Sequence, residues 1–290
     1  MSANAELLKG NHHRLTDNYN FFTKYKLSCQ DRLNSENPDT RDWLELVNKM
    51  KYDSPGYAFF KGLLEKKKAI VVKIGPIAMI EKEYNIGEAL ATLKLPTFLT
   101  YHCIIHCLED IEDLKKSMPR YLCRTKGNLI SILVMPELIG GVMKDYEWSK
   151  DNFYIMQNIF KHVVLSILYA STRIGFNHRD LHIDNVRLVK TKRQHVDYEE
   201  FGRLELYAIM PVIMDYNLSL INSTKYSDVY KFDILRYINS CHQDLHGVFN
   251  TNNYNQLISK ISWDNTKPTP ADANKLLSAI DKFIYVQMRI

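Results

Sequence analysis

No stretch of this chain is both uncharged and apolar over the length that a membrane span requires, and Met1 to Arg14 holds no apolar core of the kind that opens a secretory signal. A transmembrane or exported protein is therefore not expected. Position 2 is Ser rather than Gly, so N-myristoylation is not expected. Neither sign of charge is in excess: a formal net charge of +5 over 290 residues permits an acidic partner without requiring one. No Arg/Lys-rich helix interleaved with aromatics marks a nucleic-acid surface, and Lys66-Lys67-Lys68 reads as a solvated hairpin turn. The five cysteines, Cys29, Cys103, Cys107, Cys123 and Cys241, leave an odd thiol and show no pairing by spacing, which predicts a reducing compartment. His102-Cys103 and His106-Cys107 resemble a metal-ligand cluster. On a strand from Thr100 to Leu108, however, the histidines fall on one face and the cysteines on the other, so the four cannot close a tetrahedron. Internal repeats and low-complexity tracts are lacking too.

What is present suits a large folded enzyme. With 46% hydrophobic and 24% charged residues, the chain can bury a full core as one large domain or two joined lobes. Residues 1–52 read as a helical extension, with Trp43, Leu44, Val47 and Met50 as an apolar stripe behind an Asp39/Thr40 cap. Residues 53–136 alternate short β-rich runs with one helix, Ile80 to Leu93, and Pro136 to Gly141 breaks the pattern as a hinge. Residues 137–290 are mainly helical, beginning with a long helix capped by Asp151 whose Ile155, Ile159, Phe160, Val163, Val164 and Ile167 form a broad buried face. Thr191 to Arg203 is too charged for core and reads as an inserted hairpin or loop. The expected fold class is α+β.

After that long helix comes His178-Arg179-Asp180-Leu181-His182-Ile183-Asp184-Asn185, which has the form H-R-D-L-x-x-x-N of a protein kinase catalytic loop. In phosphoryl transfer a carboxylate accepts a hydrogen bond from the attacking hydroxyl, and an amide a few residues on reaches a metal bridging the nucleotide phosphates. Asp180 and Asn185 stand at that separation. The same chemistry asks for a second carboxylate on Mg²⁺, and Asp215 follows an apolar run at Val212-Ile213-Met214. It also asks for a lysine closing a buried strand. Ala69-Ile70-Val71-Val72-Lys73 has that shape, and Glu83 is its expected partner because Ile86, Leu90 and Leu93 follow it at helical spacing, with Glu88 in reserve. Gly56, Met135 and Glu137 join Lys73, Asn185 and Asp215 as nucleotide-contacting candidates, and Asn185 and Asp215 as Mg²⁺ ligands. ATP and Mg²⁺ are the cofactors this pattern predicts.

Phe176 to Val186, Ile213-Met214-Asp215-Tyr216 and Tyr230-Lys231-Phe232-Asp233-Ile234 with Arg236 together resemble the haspin family of atypical protein kinases. The resemblance covers roughly residues 53–240 and implies a bilobal kinase-like fold, a small β-rich N-lobe beside a larger helical C-lobe, and ATP- and Mg²⁺-dependent phosphorylation of Ser or Thr on a protein. It makes Asp228, opening Asp228-Val229-Tyr230-Lys231-Phe232, a candidate support for the catalytic loop. Two departures stand out. Ser54 to Gly62 keeps the aromatic tip of a glycine-rich loop but few of its glycines, and only Leu218 to Ser227 separates Asn217 from Asp228, with no Ala-Pro-Glu. A short segment of this kind predicts a constitutively competent enzyme in which phosphorylation at Ser219, Ser223 or Thr224 is not a switch; separately, a monomer is expected. A nucleotide-binding pseudokinase or scaffold, and a small-molecule kinase, are the alternative readings. The resemblance implies a protein substrate, a chromatin or virion protein being one example, although no residues that would bind a histone tail are identifiable. The Tyr/Asn/Ile/Lys-rich composition suits an AT-rich genome such as that of a large DNA virus, and the cytoplasm, nucleus or virion is the expected location.

Overall fold

The computed structural model describes residues 44–50, 56–116, 122–123, 127–222, 226–245, 251–261 and 268–284. They form an α+β structure in two compact units, residues 44–88 with 100–138 and residues 89–99 with 139–284. No helix among the described residues is long and apolar enough to cross a membrane.

The first unit is built on a five-stranded antiparallel sheet in the order β1-β2-β3-β5-β4, from β1 (Leu44–Lys49), β2 (Ala58–Leu64), β3 (Lys68–Pro76), β4 (Cys103–Glu109) and β5 (Asn128–Pro136). Phe60, Ile70, Val72, Ile74, Ile105, Ile132 and Val134 make one face of it a continuous core. Because side chains alternate along a strand, Lys73 points to the other face, as does Phe59 directly opposite it in register. The hairpin between β2 and β3 turns through Glu65 and Lys66 at φ of 52° and 55°, the left-handed pair that a tight hairpin asks for. Helix α1 (Ile77–Thr92) follows β3 at once, and α2 (Ile111–Lys116) follows β4.

Two expectations fail in this unit. Leu44–Lys49 is an edge strand rather than the end of a helix: Leu44 and Leu46, two residues apart, pack on the sheet core, and Met50 N–H extends the ladder to Phe59 O. Trp43 and the Asp39/Thr40 cap lie outside the described residues. Cysteines also pair. β4 and the chain returning after α2 bring Cys107 and Cys123 to a Cα separation of 5.2 Å, and the two form a disulfide, so the thiol count does not establish a reducing compartment. Cys241 is the free cysteine among the described residues.

In the second unit α3 (Phe153–Ile174) is buried nearly all round, as a central core helix is. Its N-cap is Asn152 rather than Asp151, and Asn152 Oδ1 accepts from Ser149 N–H at 2.7 Å instead of capping the helix. Gly175, at φ 61°, ends it in the left-handed conformation that a residue without Cβ takes freely. Strands β6 (Val186–Lys190) and β9 (Ile209–Ile213) form an antiparallel ribbon, β7 (His195–Asp197) and β8 (Arg203–Glu205) a second one. The remaining helices are α4 (Tyr226–Asp244), α5 (Thr251–Ser259) and α6 (Pro270–Phe283). The 191–203 segment is the expected hairpin, yet it does enter the core. Tyr198 is fully buried and its hydroxyl hydrogen-bonds with His162 Nδ1 at 2.8 Å. His162 Nε2 meets Glu205 O, which can only accept, so Nε2 carries the proton and Nδ1 accepts from Tyr198.

Candidate functional site

Lys73 donates to Glu83 Oε2 at 2.6 Å, and both side chains are almost wholly buried, at 5% and 2% exposure. Of the three glutamates on α1, Glu83 is the one that turns inward; Glu81 lies at the surface, 3.6 Å from His106 Nε2. The second oxygen of Glu83 is also held. Tyr101 donates its hydroxyl to Oε1 at 3.0 Å, and its ring fills the space beside Gly87, where an added Cβ would lie 2.3 Å from the ring. Gly87 is therefore the notch in α1 that lets Tyr101 reach the carboxylate. The Lys73 ammonium also lies 4.9 Å from the Tyr57 ring centroid and 5.7 Å from that of Phe59. Gly75 makes room for Tyr57, since a Cβ there would stand 2.5 Å from the ring.

The other cluster lies in the second unit around residues 178–185. Arg179 has φ 64°, a left-handed value that residues other than glycine, asparagine and aspartate seldom adopt; Asp215, at φ 65°, is of a type that tolerates it. Such strain persists only where the surroundings over-determine it, and here they do. The buried carboxylate of Asp233 on α4 accepts the N–H of His178 at 2.7 Å through Oδ2 and that of Arg179 at 2.8 Å through Oδ1. Burial pushes Asp233 up to about 7, against the opposite pull of these two N–H bonds and of Arg236 and Arg179. Arg236, one turn further along α4, donates to Arg179 O at 2.9 Å and to the Asp180 carboxylate. Loop support thus comes from Asp233. The side chain of Asp228, expected in that role, lies outside the described residues.

His178 is fully buried, and burial pushes it down to about 4, so its ring is neutral. Its Nε2 donates to Met214 O at 3.0 Å, tying the loop to the residue before Asp215. Tyr216, also fully buried, sets its ring edge-on to His178 and Phe176 and donates to Leu99 O and Ile213 O. Pairing of Val186 with Ile213 brings the ends of β6 and β9 together, and Met214 N–H donates to Asn185 O at 3.0 Å. Asn185 and Asp215 accordingly flank one ribbon end. The Asn185 amide nitrogen donates to Asp180 O at 2.9 Å, which leaves Oδ1 as the oxygen of that side chain able to ligate a cation. One carboxylate and one amide oxygen suit Mg²⁺, which takes few protein ligands and completes its octahedron with phosphate and water oxygens. No cluster of three or more His, Cys, Asp or Glu side chains suited to a metal occurs among the described residues.

The other nucleotide-contacting candidates are placed less tightly. Gly56 has φ 78° with open space where a Cβ would stand, so backbone conformation rather than crowding asks for glycine. Met135 is buried on β5 opposite Val71. The Glu137 N–H is committed to Ala69 O at 3.1 Å and its carboxylate to Lys61 at 2.5 Å. Gly140 allows the chain to pass against β6: an added Cβ would lie 1.7 Å from Leu188 O. Neither protein-family models nor curated proteins match this chain. Sequence reasoning missed Tyr101, Asp233 and the role of Arg236. An acidic residue set between Phe232 and Ile234 on a helix was the available signal for Asp233.

Proposed function

We propose that this chain is an ATP- and Mg²⁺-dependent Ser/Thr protein kinase of haspin-like type, with the bilobal kinase fold. The observation that carries the proposal is that Asn185 is tied to both candidate acids: its amide donates to Asp180 O at 2.9 Å, and its carbonyl accepts the N–H of Met214, the residue before Asp215. Each residue then has a task. The Asp180 carboxylate accepts the hydrogen bond of the substrate hydroxyl and orients its oxygen for in-line attack. Asn185 Oδ1 and Asp215 would hold the metal, whose charge offsets that of the phosphate oxygens. Lys73, aligned by Glu83, anchors the α- and β-phosphates. The substrate class is a Ser or Thr hydroxyl on a protein.

The test is γ-phosphate transfer from ATP/Mg²⁺ to generic protein substrates, with Asp180→Asn and Asp215→Asn run in parallel. Asp180→Asn is expected to lower turnover by about a hundredfold or more while nucleotide still binds, and Asp215→Asn to weaken Mg²⁺-dependent binding itself. Equal activity in all three proteins sinks the assignment. A pseudokinase is the second reading, favoured by the Tyr57 ring lying over the Lys73 ammonium where a phosphate would need access. It predicts nucleotide binding without turnover.

A further inference from the structure

The two oxygens of Asp180 have unequal surroundings. Oδ1 takes the Nη2 of Arg236 in a charged hydrogen bond, whereas the nearest cationic candidate to Oδ2, His182 Nε2, stands off at 3.9 Å. The other arm of the same guanidinium, Nη1, donates to Arg179 O at 2.9 Å. A planar fork therefore spans the strained Arg179 peptide and the adjacent carboxylate together, a geometry that an ammonium, as a point charge, does not reproduce. The cation on the carboxylate comes here from α4, and α4 is anchored independently to the same loop by Asp233.

We infer that Arg236 is the positioning residue of Asp180: it fixes Oδ1 and the loop carbonyl together, so that Oδ2 is the oxygen presented to the substrate hydroxyl. This role rests on the kinase reading. A carboxylate free of Arg236 turns about its last side-chain bond between two near-equivalent orientations, and its geometry for attack is no longer unique. Arg236 touches no reacting atom in this scheme. Its removal should affect the transfer step and spare nucleotide binding, which falls to Lys73 and Asp215.

The experiment measures kcat and the KM for ATP in the wild type and in Arg236→Gln, Arg236→Lys and Arg236→Ala, with melting temperatures alongside. Arg236→Gln is expected to lose about tenfold or more in kcat with the KM for ATP held within about twofold, because misorientation costs rate rather than binding. Arg236→Lys should recover only part of the loss. Added methylguanidine should restore part of the rate to Arg236→Ala and none to Asp180→Asn. An active wild type with Arg236→Gln at full kcat overturns this role alone, as does a parallel fall of kcat, ATP affinity and melting temperature without rescue. A wild type that transfers no phosphate to any substrate overturns the kinase reading and this role with it.

Discussion

Replacing Lys73 by Met tests the buried ion pair apart from any catalysis. The substitution nearly conserves volume but leaves the Glu83 carboxylate, 2% exposed, without its ammonium; the Tyr101 hydroxyl at 3.0 Å remains. Removing one partner of a buried pair costs about 3–5 kcal/mol, chiefly because the surviving charge stays desolvated. A loss of that size lowers the melting temperature by on the order of 10 °C. If desolvation is the cause, removing the second charge must give stability back. Lys73→Met/Glu83→Gln is therefore expected to be more stable than Lys73→Met alone, with a coupling of roughly 2 kcal/mol between the two sites. Urea unfolding of the four proteins, with m-values compared to check that the same transition is followed, supplies the cycle. Nucleotide affinity should fall in both proteins lacking Lys73, including the double variant that has regained stability. Additivity within about 0.5 kcal/mol, or a Lys73→Met protein as stable as the wild type, would refute the reasoning, since contacting charges at this burial cannot act independently.

Two further outcomes follow from the geometry. Tyr101→Phe keeps the ring beside Gly87 and removes only the hydroxyl from Glu83, so a stability loss of about 1.5–3 kcal/mol in urea unfolding is expected, the worth of a hydrogen bond to a charged group; a loss under about 0.5 kcal/mol contradicts the assigned bond. In acid, His162 and His178, both held near 4 by burial, contribute stability that is present above pH 6.5 and is lost as pH falls toward 4, roughly 3 kcal/mol each. Asp233, raised to about 7 from 3.8, has the opposite sign: its contribution is fully present below 3.8 and is lost as pH rises through 7. Melting temperature against pH should accordingly fall more steeply between pH 6.5 and 4 in Asp233→Asn than in the wild type, and parallel curves would argue against the buried charge.

How much of this was legible depended on whether the determining contacts are local. The pairing of Lys73 with Glu83 could be read because a strand followed by a helix gives each a periodicity against which an inward-facing charge stands out. Leu44 to Lys49 misled because Leu44, Val47 and Met50 fit a helical stripe as well as Leu44 and Leu46 fit a strand; β2, lying beside them, decided between the two. Asp233 and His178, Tyr101 and Glu83, and Cys107 and Cys123 meet only through the tertiary fold. Nothing in the spacing of those residues announces the contacts. Tyr198 was hidden differently, by charged neighbours that made its whole segment look solvated.

The contacts around Arg179 also bear on regulation. A phosphorylation switch works by ordering a segment through new pairs between phosphate and arginine, which requires a hydroxyl that modifying enzymes can reach and a loop that needs ordering. Ser219 meets neither condition: it is fully buried, and its hydroxyl already donates to His178 O at 3.0 Å. Ser223 and Thr224 lie outside the described residues. Leu220 closes the same arrangement through reciprocal backbone hydrogen bonds with Asn177. The loop 177–180 is thus held by 219–220 and by Asp233 and Arg236 of α4. These contacts use groups the chain already carries. Strain at Arg179 is balanced by permanent bonds rather than conditional ones, and a loop held in this way has no unmade contact for a phosphate on Ser219 to supply.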